Sequence, residues 1–150
     1  MANFKKDTKS NNFKQKFNPE WITESIDKTC VDYTDDLGKF LCDLNKNRPG
    51  WNALTTSQIR NFFGEIKRIQ NVGIENEKSA FVLIRPKLAY ATARVTNRNS
   101  ESRISTFRDV VEVAYSYVDM DSEDLPKQFK NFVDFLESTL AYHKVYGGRD

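Results

Sequence analysis

Basic side chains recur at helical spacing in two segments near the middle of the 150-residue chain. The residues that share one face of each predicted helix are Arg60, Gly64, Lys67, Arg68 and Asn71 in the first segment, and Lys87, Tyr90, Arg94 and Arg98 in the second. Guanidinium groups bind phosphate oxygens bidentately, and an aromatic ring beside them can stack on a base or a sugar. The pattern predicts salt-sensitive, sequence-independent binding to a nucleic-acid backbone. The alternative is that these side chains are solvated residues flanking the buried stripes of core helices.

Gly64 lies within the first of these predicted helices, where it costs about 1 kcal/mol relative to alanine. Two explanations for a glycine at this position remain open. The bare backbone allows a binding partner to approach closely, or it allows another helix of the same chain to pack closely.

Acidic residues are concentrated directly after the second basic segment. They are Asp109, Glu112, Asp119, Asp121, Glu123 and Asp124. The last four resemble the start of a calcium-binding loop, but counting from Asp119 the sixth and twelfth positions are Asp124 and Lys130, where such a loop needs Gly and Glu. We expect an interhelical loop that caps the following helix. A two-metal nuclease site built from the same acids is the less favoured alternative.

Residues that commonly carry catalysis are few. His143 is the single histidine, and we expect a structural role for it near the end of the last helix. Cys30 and Cys42 lie twelve positions apart with no second ligand pair, a pattern that does not indicate a zinc site, and Cys42 is expected in the core. There is no glycine-rich phosphate loop. We therefore predict no catalytic residue, no metal and no cofactor.

Composition and charge indicate one domain with its own core. Hydrophobic residues make up 39% of the chain and charged residues 29%, with a net charge of +2. The chain has no apolar run long enough for a membrane helix, and its polar first twenty residues do not resemble a signal peptide. With only two cysteines, the expected location is the reducing cytoplasm. The basic segment 85–108 followed by the acidic segment 109–124 favours a molecule with two oppositely charged faces, although charges alternating around a solvated surface are an alternative.

Apolar residues at intervals of three or four predict amphipathic helices and no strand, with Ala80–Ile84 as the one ambiguous run. Thr55 and Gln58 have capping-box spacing, Pro86 predicts a kink near Arg85, and Pro126 suits a first helical turn. The expected fold is an all-α, compact bundle of about five helices. It forms a single domain over residues 21–150, preceded by a mobile N-terminal arm over residues 1–20. The predicted helices cover about Tyr33–Leu44, Thr55–Gly73, about Glu77–Val95, a segment including Phe107–Val118, and a segment from Leu125 to Gly147.

Four segments, taken in order, resemble the small subunit of type III-A CRISPR effector complexes. They are LTTSQIRNF at 54–62, IRPKLAY at 84–90 followed by Ala93 and Arg94, FVDFLE at 132–137, and LAYHKVY at 140–146. The first motif is the most specific, and the resemblance extends over about residues 50–148. Residues 1–35 show no such match.

The resemblance implies a non-catalytic, all-helical protein that stacks in several copies and contacts guide and target RNA backbones without reading bases. Implied partners are the backbone and large subunits of the effector, further copies of the chain, guide RNA and single-stranded target RNA, with no membrane. The motif itself assigns RNA binding to Arg60, Lys87 and Arg94, whereas Lys67 and Arg68 come from the helix-face argument and Arg98 lies in a loop that is not diagnostic. The main alternative is a free-standing helical protein–protein adaptor that uses Tyr142 and Tyr146 for contact.

Overall fold

The fold is all-α, as predicted, in a computed structural model that describes residues 12–42, 56–93 and 101–147. No β-strand occurs in these ranges, and Ala80–Ile84 is not extended: it is helical on both sides of a turn at Leu83. Five of the helices contain ten or more residues. In chain order the helices are α1 (12–16), α2 (Glu20–Thr23), α3 (Lys28–Leu41), α4 (Thr56–Val72), a 3-10 turn (Ile74–Asn76), α5 (Lys78–Val82), α6 (Ile84–Ala93), α7 (Glu101–Ser116) and α8 (Leu125–Val145).

Helix α8 is the central element of the bundle, with α2, α3, α4 and α7 packed against it. The sequence spacing predicts one apolar stripe on this helix, and its members are buried except for the partly buried Leu140: Leu125, Phe129, Phe132, Val133, Leu136 and Leu140. Phe135 and Thr139, on other sides of the helix, are buried as well, and the Asn131 side-chain amide donates to the carbonyl oxygens of Ile22 (2.9 Å) and Glu24 (3.1 Å). A helix enclosed by its neighbours buries more than one face, so an amphipathic stripe underestimates its core contribution.

Helix α3 crosses α8 at very short range because Gly38 has no side chain. A Cβ placed on Gly38 would lie 2.6 Å from the Tyr142 Cβ and 2.7 Å from the His143 backbone nitrogen. One turn away, the Thr34 and Ser138 hydroxyl oxygens are 2.6 Å apart and share a hydrogen bond. The two helix backbones therefore approach closely at this crossing.

The start of α3 lies five residues earlier than predicted. Asp27 is its N-cap: the carboxylate accepts from the Cys30 backbone N–H at 2.9 Å and from the Thr29 hydroxyl at 2.6 Å. The predicted end near Leu44 lies outside the described residues, as does Thr55 of the predicted capping box.

A break interrupts the helix predicted over Glu77–Val95, at Leu83 rather than at Arg85. Pro86 causes this break although it lies three residues after Leu83, because it has no N–H to donate to the Val82 carbonyl and its ring crowds that carbonyl. The end of α4 at Gly73 is confirmed, and Gly73 has a φ of 108°, a conformation that glycine adopts readily.

The N-terminal segment differs from the expected mobile arm over the part that is described. Residues 1–11 lie outside the described ranges, but residues 12–20 are packed on the bundle. Phe17 is only 6% exposed, and its ring lies 5.2 Å from Trp21 and 5.3 Å from Phe135 between centroids. The Tyr33 hydroxyl donates to the Phe13 carbonyl oxygen at 2.7 Å. Because Phe17 shares the core with α3 and α8, we propose that the packed domain begins before residue 21.

Candidate nucleic-acid interface

The predicted basic faces of α4 and α6 meet at one carboxylate. Arg68 donates to Glu65 at 3.0 and 3.1 Å, and the Lys87 ammonium lies 3.5 Å from the same carboxylate. Lys87 comes from α6, so the two helices present their basic residues on one continuous surface. We call this surface, made of Arg60, Lys67, Arg68 and Lys87, the α4–α6 basic surface. The side chains of Lys67, Arg68 and Lys87 are 40%, 46% and 55% exposed.

Three carboxylates that the sequence analysis did not single out are paired with this surface. Besides Glu65, Glu77 lies 3.2 Å from Arg68, and Glu137 of α8 lies 3.0 Å from Lys67. Glu65 precedes Arg68 by three residues on the same helix, so its pairing was readable from helical spacing. The Lys67–Glu137 pair spans 70 residues of chain and had no sequence signal.

The electrostatics of the surface follow from this pairing. The hydrogen bonds from Arg68, with help from the charge of Lys87, hold the pKa of the Glu65 carboxyl below its ordinary value. Hydrogen bonds to Glu65 and Glu77 raise the pKa of the Arg68 guanidinium. Exposed ion pairs contribute little to stability because water and salt screen them. Loss of these ion pairs would therefore cost the fold little stability.

Arg60 lies at a shallow groove between α4 and α8. The groove has a volume of about 380 Å³, and besides Arg60 its lining consists of Phe63, Leu140, Ala141, Lys144 and the carboxylate-bearing Glu137. Lys144 is a basic residue that the helix-face argument missed, because it belongs to a different helix from Arg60. Aromatic and aliphatic groups between two cations are a suitable environment for a base or ribose beside its phosphate.

Gly64 faces open space within the described ranges, an observation that favours close approach of a partner over close packing of another helix. No atom of the described chain lies within 4 Å of a Cβ built at this position, so the glycine does not serve close packing of another described helix. It lies one helical turn from both Arg60 and Lys67, on the exposed side of α4. Among the described residues, the Gly64 backbone is therefore uncovered.

The other predicted contacts on α6 are only partly described. Tyr90 is 67% exposed, one turn beyond Lys87. Arg94 and Arg98 lie outside the described residues, and their assignment stays a prediction.

The acidic segment forms the end of α7 and the loop between α7 and α8. Glu112 lies 3.5 Å from Arg108 and 3.8 Å from Arg85, so it is paired with the basic segment rather than separated from it. In the loop, the Asp119 carboxylate accepts from the Asp121 backbone N–H at 2.9 Å. The expected capping of α8 is wrong in detail, because Asp124 occupies the N-cap position but its side chain makes no capping hydrogen bond.

No metal-binding arrangement of three or more His, Cys, Asp or Glu side chains occurs within the described ranges. The two-metal alternative for Asp119–Asp124 therefore has no geometric support there. His143 is fully buried in the last turns of α8, and the Cys42 thiol donates to its carbonyl oxygen at 2.6 Å.

The two cysteines are buried, as predicted for Cys42. Burial raises the pKa of the Cys42 thiol to about 11, and burial together with the nearby Asp27 charge raises that of Cys30 to about 12. Both groups are protonated at neutral pH, which makes them poor nucleophiles and poor metal ligands.

The aromatic end proposed as an adaptor contact is engaged within the chain. The Tyr142 Cβ and backbone face the Gly38 backbone, and the Tyr146 hydroxyl forms a hydrogen bond with the Asp35 carboxylate. These contacts tie the end of α8 to α3, so the geometry gives the adaptor alternative no specific support.

Together, the fold and the site define a small all-α protein with an exposed surface on which basic residues of two helices meet. A family model described as Csm2 Type III-A matches residues 23–149. The chain therefore belongs to this family, the structural small subunits of type III-A CRISPR complexes. A comparison with curated proteins and one with solved structures each found no match. Among the helices of the described residues, none has the length and apolarity required to cross a membrane.

Proposed function

We propose that the chain is a non-catalytic subunit that grips the RNA backbone of a type III-A effector through the α4–α6 basic surface. The observation that supports this proposal is the meeting of Arg68 and Lys87 on Glu65, because it joins basic residues of two helices into one exposed surface. Arg60 extends this surface along α4, and Arg94 and Arg98 remain predicted contacts beyond Lys87. No cofactor is part of the proposal.

Binding would proceed by exchange of acceptors. A phosphate approaches the open backbone at Gly64 and takes the place of the glutamates opposite Lys67, Arg68 and Lys87. The guanidinium groups then hold phosphate oxygens in bidentate fashion. Such contacts carry no base information, so affinity is independent of RNA sequence and falls as salt concentration rises.

The proposal extends to assembly in the cytoplasm with the backbone and large subunits, guide RNA and single-stranded target RNA. Several copies would stack head to tail, with the acidic loop between α7 and α8 facing a basic surface of the next copy. A test is the charge reversal Asp121→Lys/Glu123→Lys, which spares the Asp119 hydrogen bond. We expect fewer copies retained per complex by native mass spectrometry, with Glu20→Lys/Asp32→Lys as the matched control. Full retention in the reversed variant contradicts this stacking surface.

RNA binding by the full-length chain across a salt series tests the grip. The comparison is between Arg60→Ala/Lys87→Ala and the control Lys127→Ala/Lys130→Ala, which removes the same charge elsewhere. Single-stranded RNA loses about 0.7 units of slope in log affinity against log salt for each phosphate contact removed. We expect the slope to fall by roughly 1.4 in the first variant and to stay near the wild-type value in the control. Equal slopes in the two variants would refute the grip.

A further inference from the structure

A cavity between α1 and α3 combines lysines with aromatic rings away from the α4–α6 basic surface. It has a volume of about 400 Å³, and its lining includes Lys16, Lys39, Phe13 and Phe40. Neither lysine ammonium group forms a hydrogen bond or an ion pair with any other described residue. This contrasts with Lys67, Arg68 and Lys87, each of which is paired with a glutamate.

The aromatic wall of the cavity is held in place by its surroundings. The Phe13 and Phe40 ring centroids lie 5.7 Å apart, and the Arg103 guanidinium of α7 lies over the Phe40 ring at 4.8 Å. The Tyr33 hydroxyl fixes the Phe13 backbone by donating to its carbonyl oxygen. Because residues of α3 and α7 hold these rings in position, the rings need little reorganisation to bind a flat ligand.

The remaining polar groups of the lining are Asn12 and Asp36. Asp36 supplies carboxylate oxygens that can accept from a ribose hydroxyl or a base amino group. Two lysines against one carboxylate leave the lining with a net positive charge. The combination of aromatic rings, ammonium groups and a hydroxyl acceptor corresponds to the parts of a nucleotide: base, phosphate and sugar.

We propose that this cavity is a second RNA-contact site that takes one nucleotide of a single strand. The base packs against Phe13 and Phe40, and Lys16 and Lys39 hold the adjoining phosphate. The inference rests on the proposed function, because it assumes that the chain meets RNA. It adds a site outside the segments that carry the family resemblance, and it gives α1 a binding role as well as a packing role.

The test compares two double variants of the full-length chain in binding to a uridine oligonucleotide across a salt series. Lys16→Ala/Lys39→Ala removes the two cavity lysines. The control, Lys14→Ala/Lys28→Ala, removes two lysines from the same helices that do not line the cavity. We expect the first variant to bind several-fold more weakly, with a slope lower by roughly 1.4, and the control to stay closer to wild type. Equal losses in both variants mean that only net charge matters, and they overturn the site.

A second measurement locates the base directly. Ultraviolet crosslinking of RNA that carries 4-thiouridine, followed by mass spectrometry, should mark peptides containing Phe13 or Phe40. A Phe40→Leu variant, which keeps an apolar side chain, should lose the Phe40 crosslink while its circular dichroism spectrum remains that of the folded helical protein. Absence of crosslinks from both peptides in RNA-saturated wild-type protein overturns the site.

Three comparisons separate this inference from related ones. If Arg60→Ala/Lys87→Ala weakens binding while Lys16→Ala/Lys39→Ala does not, the cavity proposal fails and the proposed function stands. If only the cavity variant weakens binding, the grip on α4 and α6 fails and the cavity is the RNA site. The third comparison is a competition experiment. If adenosine monophosphate displaces RNA with an affinity equal to that of RNA, the cavity binds a free nucleotide, and if poly-glutamate does so, it binds an acidic peptide. Either result overturns the strand-binding site.

Discussion

At the scale of single residues, the two helical glycines at 38 and 64 have opposite roles. Gly38 lets α3 and α8 approach, and an added Cβ would lie within 2.8 Å of backbone atoms of α8. Gly64 has no described atom within 4 Å of an added Cβ, so alanine there gains helix propensity without a clash.

We expect Gly38→Ala to lower the free energy of unfolding by about 1–3 kcal/mol, the usual cost of overpacking. The matched control Gly64→Ala should raise it by up to about 1 kcal/mol. Urea denaturation followed by circular dichroism measures both values. Equal stabilities for the two variants would mean that the α3–α8 crossing is not as close as described.

The buried thiols predict a loss of stability at alkaline pH. The folded pKa of Cys30 is raised to about 12 from an ordinary value of 9.0, so folding favours the protonated thiol. This contribution is complete below pH 9.0 and is lost progressively as the pH rises toward the folded pKa. Tyr33, whose pKa is also raised by burial, adds to the loss.

The measurement is the urea midpoint of unfolding for the wild type and for Cys30→Ala. Each protein is measured at neutral pH and at a pH about one unit above the ordinary thiol pKa. The wild type should lose more stability than Cys30→Ala between the two conditions, because the variant has no thiol at that position to ionise. An identical decrease in both proteins would contradict the burial of Cys30.

At the scale of elements, the accuracy of the prediction from sequence depended on how much of each helix is exposed to solvent. Helices α4 and α7 bury one face, and their apolar residues were found from periodicity. Helix α8 is enclosed by other helices and buries more than one face. The apolar stripe therefore predicted the burial of Phe132 and Leu136 but not that of Phe135. The start of α3 was missed because Asp27 and Thr29 precede its apolar residues, and the cap was not recognised.

The residues of the site were likewise predictable from sequence only where helical spacing alone determines their position. Helical spacing placed Arg60, Lys67 and Arg68 on α4, but the partner of Lys67 is on α8 and follows only from tertiary packing. The same holds for Phe17, which lies in a polar segment with no period, yet fills a space between Trp21 and Phe135.

Substitution of Glu65 tests the exchange of acceptors between α4 and α6. Glu65→Gln removes the charge that competes with phosphate for Arg68 and Lys87, so we expect RNA affinity to rise a few-fold at low salt. The effect on stability should be small, because the pairs are exposed. The control is Asp134→Gln, which frees Lys130 from its pair at 2.7 Å. A decrease in affinity for Glu65→Gln would contradict the exchange.

Substitution of Phe17 tests whether α1 and α2 belong to the fold. Phe17→Ala should cost about 3–5 kcal/mol, the range for a large buried ring. Lys14→Ala, on the exposed side of α1, should leave the thermal midpoint within about a degree of wild type, because surface substitutions change stability little. A thermal midpoint unchanged by Phe17→Ala would return residues 12–20 to the mobile arm expected from sequence.

At the scale of the whole molecule, the bundle buries one contiguous apolar core and distributes charge in local pairs. Lys67, Arg68, Lys87 and Arg108 each have a glutamate within 3.5 Å, so the two oppositely charged faces expected from sequence are less separated than the linear pattern indicated. In the exchange of acceptors that we propose, these glutamates neutralise the cations until RNA takes their place.

The measurement that tests the central claim most directly is RNA–protein crosslinking in a reconstituted effector complex bound to guide and target RNA. Crosslinked peptides identified by mass spectrometry should include residues of α4 beside Arg60 and Gly64 and residues of α6 beside Lys87. Their yield should fall in Arg60→Ala/Lys87→Ala and persist in Lys127→Ala/Lys130→Ala. Crosslinks that avoid α4 and α6 in a complex with full occupancy of this subunit would contradict the account.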